Sequence, residues 1–193
     1  MVTVGFERIK ACVGWSPTDH ERIARLRDCL DSDLDGVIEV LGMQLARLKG
    51  IESLMANARF VRRLHGVLRE WLTGLLGGAF DEEHVQARLR FGQRMAEADL
   101  TFEDLILLET LARKQLEELA RKRLNGHSRA ISSTLRTLEK ALCLDMALVH
   151  DGYLRVRDAQ MERAMLDRFL AVTGFSRTLY ENLAETREQN GEG

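Results

Sequence analysis

Apolar residues recur along this chain every three or four positions almost from end to end, the spacing that lays one side of a helix against a core. Ser16-Pro17-Thr18-Asp19 reads as a helix start: a serine cap, proline at the first helical position and an acid three residues after the cap. That helix runs to about Leu30. Asp31 or Ser32 can cap the next, which carries Leu34, Val37, Ile38, Leu41, Leu45 and Leu48 and stops at Gly50. A third spans roughly Ala58 to Leu76, with Phe60, Val61, Leu64, Leu68, Trp71, Leu72 and Leu75 inward, and ends at Gly77-Gly78. A fourth begins near Asp81 and fails around Ala98-Asp99. Thr101-Phe102-Glu103-Asp104 starts a fifth, through Leu105, Leu108, Leu111, Leu116 and Leu119 to Leu124. Asn125-Gly126 makes a turn. The next helix carries Ile131, Leu135, Leu138, Leu142, Met146, Val149 and Tyr153, and the pattern from about Arg155 to Thr186 is again helical, with Met161, Met165, Phe169, Val172 and Leu179 on its apolar side.

The stripe from Ile131 to Tyr153 is long enough to serve a partner chain as well as its own core. With the preceding helix it forms an antiparallel hairpin, and two such hairpins make a four-helix bundle. A homodimer through that bundle is expected, with those seven residues at its interface.

Composition narrows the class without changing it. With 193 residues, 45% hydrophobic and 30% charged, one proline and 15 glycines, the chain suits one all-α domain of ordinary size. A balance of 28 Lys+Arg against 30 Asp+Glu gives no global attraction to nucleic acid or an acidic membrane surface. The basic cluster Ala120 to Arg129 lacks interleaved aromatics, so it is read as a solvated helix end. No window is apolar enough for a membrane span, and the N-terminus has no signal-peptide pattern. Cys12, Cys29 and Cys143 are odd in number and widely spaced, which fits reduced, buried thiols in a cytoplasm.

Catalytic signatures are missing. There is no GxSxG, P-loop, GxGxxG, HExxH or Cys/His cluster, so neither an enzyme nor a metal site is expected. Asp81, Glu82 and Glu83 stand in a first helical turn, where acids favour the dipole. His84 and Met95 lie about 16 Å apart along one helix and cannot share a metal.

Two strings carry a family resemblance. The stretch from Gly77 to Met95, GGAFDEEHVQARLRFGQRM, resembles that of the globin-coupled sensors and protoglobins, in which a Gly-Phe/Tyr-Asp turn leads to a tyrosine, an arginine, an Ile-Gly pair and the histidine that ligates haem iron. KALCLDMALVHDGYL, Lys140 to Leu154, resembles the family's last long helix, with its Leu-Asp-Met/Ile element and downstream tyrosine. The resemblance covers about Phe6 to Leu154. It implies a globin-like sensor domain over residues 1–154, a C-terminal transmission or docking helix over 155–186 and a frayed tail over 187–193.

At the diagnostic positions this chain departs from the family. Phe91 and Gly92 take the Ile-Gly positions, Met95 takes that of the iron-binding histidine, His84 that of the tyrosine, and Leu41-Gly42 those of a distal Phe-Tyr pair. Imidazole is a strong sole axial ligand, whereas a thioether usually acts opposite a histidine. A helical glycine costs about 1 kcal/mol relative to alanine, so Gly92 implies close approach by something flat or by another helix. The resemblance therefore implies a relic or adapted haem pocket around Met95, His65, Phe91, Gly92, Leu41 and Trp71, most simply without a cofactor. The function expected is a non-catalytic sensory or regulatory module that relays a pocket or partner signal through a homodimer to an output domain or protein. The alternatives are a haem b gas sensor with Met95, His65 or both as axial ligands, and a ligand-free scaffold.

Overall fold

The computed structural model describes residues 2–78, 80–124 and 128–178. Seven α-helices are formed among them: α1 (Val2–Val13), α2 (Pro17–Leu30), α3 (Leu34–Leu48), α4 (Ala58–Gly77), α5 (Glu82–Glu97), α6 (Phe102–Arg123) and α7 (Ser128–Thr173). The chain divides into two compact units, Met1–Tyr153 and Leu154–Gly193, and α7 contributes to both.

Local chemistry sets most helix ends. Ser16 and Asp19 form a reciprocal capping box at the start of α2, as do Thr101 and Asp104 at the start of α6. The Asn57 side chain accepts from the amides of Arg59 and Phe60 to open α4, and Asp81 accepts from that of His84 to open α5. Gly50 and Gly78 take the left-handed conformation just past α3 and α4, where any other residue would be strained.

Several expectations are corrected. Neither Asp31 nor Ser32 caps α3: Asp31–Asp33 is a short 3-10 turn leading directly into it. The N-terminal segment, to which the pattern assigned no element, forms α1 and buries Phe6. The helix that carries the Ile131–Tyr153 stripe runs on past Arg155 to Thr173 before Gly174 turns it, while the division between the two units falls at Tyr153/Leu154. All three cysteines are exposed instead of buried. The Asn125-Gly126 turn, Leu179 and the segment 179–193 lie outside the described residues.

In the first unit, α2, α3 and α4 enclose a core of Ile23, Leu26, Leu30, Leu34, Ile38, Leu41, Leu68, Leu72 and Leu75. α6 and α7 run antiparallel, since Phe102 at the start of α6 meets His150 while Arg113, midway along it, meets the earlier Glu139. Two polar ties join distant helices to this core. The Asp19 carboxylate takes the Thr137 hydroxyl at 2.7 Å and Lys140 Nζ at 2.9 Å, fixing α2 to α7. Lys49 Nζ reaches Asp104 at 2.8 Å, fixing the end of α3 to the start of α6.

The expected dimer stripe also needs correction. Leu138, Leu142, Val149 and Tyr153 are buried within the unit itself, so they have no surface to offer a second chain. Ile131, Leu135 and Met146 keep partial exposure. The 3.6-residue period locates an apolar face but does not say which neighbour covers it. Among the described residues no helix is long and apolar enough to cross a membrane.

Candidate functional site

Helices α4, α5 and α7 meet around Trp71, and most residues singled out from sequence converge there or nearby. Trp71 and Phe91 are both buried and stack with ring centroids 6.0 Å apart and planes 15° from parallel. Met95 lies one turn beyond Phe91 on α5 and is only 7% exposed. Leu41 is fully buried on α3. His65, half-buried on α4, turns toward α3: a Cβ added at Gly42 would lie 3.3 Å from His65 Nε2. That nitrogen is shielded from solvent and has no hydrogen-bond partner.

Gly92 faces a helix. A Cβ there would fall 2.0 Å from the Val149 carbonyl oxygen, and a Cβ at Gly152 would fall 2.1 Å from the Leu89 carbonyl oxygen. The two glycines are reciprocal notches that bring the backbones of α5 and α7 into contact. Of the two readings open for Gly92, the other helix is the one observed.

Two charged residues complete the seam, each part of a string that carries the family resemblance but neither read as a partner of the other. Asp145 on α7 and Arg88 on α5 are both buried. Trp71 Nε1 donates to Asp145 Oδ2 at 2.7 Å, and Arg88 Nη1 donates to the Trp71 carbonyl at 3.1 Å. Arg88 Nη2 reaches the Glu70 carbonyl at 3.5 Å and fits against α4 because Gly74 has no side chain there. Arg88 Nη1 stands 3.7 Å from Asp145 Oδ1, an ion pair without a hydrogen bond. Asp145 Oδ1 and Arg88 Nε are left with no hydrogen-bond partner. Burial pushes the Asp145 carboxyl up to about 6, against the lowering effects of the Arg88 charge and the Trp71 hydrogen bond.

A sequence signal for this pair existed. Asp145 sits three residues after Leu142 and four before Val149, inside the apolar stripe, and Arg88 sits four before Gly92. A charge on a buried helical face needs a partner on the facing helix.

His84, one turn before Arg88, packs edge-on against Phe80 at 4.7 Å. Burial, helped by the Arg88 charge, holds its imidazole down to about 4, so it is neutral at pH 7. The basic cluster at the end of α6 is engaged locally, Arg123 gripping Asp33 through two hydrogen bonds of 2.7 and 2.9 Å. No three or more His, Cys, Asp or Glu side chains among the described residues are grouped to hold a metal ion.

The helices that close this buried interior have a globin-type arrangement. The fold is similar to the globin domain of the Geobacter sulfurreducens globin-coupled sensor, with a TM-score of 0.68 at 13% identity, covering 76% of this chain and 96% of that one. The chain belongs to the protoglobin family, whose model matches residues 5–159. A search of the curated proteins finds no match.

Proposed function

We propose that this protein is a non-catalytic, globin-fold sensory module whose interior is occupied by its own side chains and takes no haem through a proximal histidine. The observation that carries the reading is the buried Trp71–Phe91 stack, with Met95, which the family resemblance aligns with the iron ligand, also buried one turn beyond Phe91. Haem would supply gas binding or electron transfer at its iron, and its retention depends on a strong axial donor. The residues present fit it poorly. Met95 offers only a thioether, His65 Nε2 is packed against Gly42, and the Gly92 notch is filled by the α7 backbone. The unpartnered His65 nitrogen favours one second reading, a haem held by His65 with Met95.

The relay is assigned to a homodimer. Ile106 and Leu107 on α6 are exposed apolar residues, and Ile131, Leu135 and Met146 on α7 retain partial surface, which supports a helical bundle between two copies. In the second unit Met161, Met165, Phe169 and Val172 stand exposed at helical spacing, which supports a docking or transmission role for that helix toward an output partner.

Absorption spectroscopy during hemin titration tests the cofactor reading, with Met95→His alongside the wild type. The wild type is expected to show no saturable Soret band and the variant to gain one. Stoichiometric haem uptake by the wild type overturns the reading and transfers attention to His65.

A further inference from the structure

We propose that Asp145 is a proton-binding site, and that the signal read by this globin interior is the proton taken up on its Oδ1. The inference rests on the sensory reading above and names the ligand of the same site. Its basis is the imbalance of the buried pair. Asp145 is wholly buried yet receives a single hydrogen bond, from the neutral Trp71 indole on Oδ2, while Oδ1 receives none. The hydrogen bonds of Arg88 go to two α4 carbonyls and not to the carboxylate. A buried carboxylate with so few donors is poorly solvated, and the oxygen that would take a proton loses no bond by doing so.

The charged groups facing Asp145 are few. On α4 the facing group is the neutral Trp71 indole, since the Glu70 carboxylate turns outward to Arg94 at 2.7 Å. On α5 it is Arg88. On α6 it is Glu109, whose negative charge also favours the neutral acid and which is bonded to Arg113 at 3.0 Å.

Uptake of one proton from solvent converts the carboxylate to the acid and breaks no other bond. Arg88 then loses its counter-charge on α7 but keeps its carbonyl contacts and its seat at Gly74, so α5 stays tied to α4. The α5–α7 crossing at Gly92 and Gly152 no longer shuts a poorly solvated carboxylate away from water, so the protonated seam holds closed more firmly. Protonation thus biases one seam and leaves the rest of the core alone.

The test uses the full chain with Trp15→Phe, which leaves Trp71 as the single tryptophan. Its fluorescence and near-ultraviolet circular dichroism are followed from about pH 8 to about pH 5. A single transition with a midpoint near 6 is expected, absent when Asp145→Asn is added. Amide exchange around Gly92 and Gly152, corrected for intrinsic rates, is expected to slow several-fold as pH falls through the same transition, because the proton is held more tightly by the closed seam than by an opened one. A flat Trp71 signal, or a transition that survives Asp145→Asn, overturns the proposal, as does unchanged exchange at the crossing. Should the Asn variant fail to fold, the carbon-13 shift of the Asp145 carboxyl in the otherwise unaltered protein decides: titration in the ordinary range near 4 overturns the site. Haem uptake fails the sensory reading by a separate signal, so the two failures are distinguishable.

Discussion

Two buried aspartates, Asp19 at the α2–α7 corner and Asp145 at the α5–α7 seam, meet a low-dielectric interior in opposite ways. Asp19 is surrounded by donors: Ser16 at its own helix cap, Thr137 and Lys140 from α7. Burial alone would raise its carboxyl, but those bonds outweigh it and hold it down to about 2. Asp145 has one neutral donor and a cation at 3.7 Å, and burial prevails. Burial does not by itself decide whether an acid is a fixed tie or a group ready to change charge; the number of donors around it does.

The sharpest way to break the comparison is to remove each partner. Arg88→Leu leaves the Asp145 carboxylate buried without a counter-ion and is expected to cost about 3–5 kcal/mol in urea unfolding. Adding Asp145→Asn, which keeps an acceptor for the Trp71 indole, should recover a large part of that loss, because no charge then remains buried. Asp19→Ala strands Thr137 and removes the Asp19 half of the α2 capping box, with an expected cost of about 2–3 kcal/mol. Lys140→Ala cannot rescue it, since Lys140 is partly exposed and finds water unaided. A double change that repairs one site and not the other is the outcome the contrast requires.

The sequence disclosed the fold more fully than the site. Helix starts at Ser16, Asp81 and Thr101 were legible because capping is local chemistry. What the stripe from Ile131 to Tyr153 packs against was not legible, since a period specifies a face and leaves its neighbour open. The pairing of Arg88 with Asp145 escaped for a related reason. They are 57 positions apart, and only the crossing of α5 on α7 makes them a pair.

Acid titration sharpens the contrast at smaller amplitude. The carboxyl of Asp19 is lowered on folding, so its contribution is fully present above about pH 4 and is lost as pH falls toward about 2. Asp19→Asn should flatten stability in that limb, a change on the order of 2 kcal/mol by the size of the shift. The carboxyl of Asp145 is raised on folding, so its contribution is fully present below about pH 4 and is lost as pH rises through about 6. Asp145→Asn should remove that opposite slope. Urea midpoints measured across both windows read the two signs directly, and equal slopes for the two sites would collapse the distinction.

The smallest effect is expected closest to the seam. The Glu70 backbone carbonyl accepts from Arg88, while its side chain leaves the interior and pairs with Arg94 at 2.7 Å. Both partners of that pair are more than two-fifths exposed. Its Coulomb gain is therefore screened by water and partly spent on ordering two long side chains. Glu70→Gln should cost no more than about 0.5 kcal/mol, and added salt should erase even that, while the Arg88→Leu loss persists in salt because its charges are dry. If Glu70→Gln cost as much as Arg88→Leu, nearness to the seam would govern these energies, and the argument from donors and burial would fail.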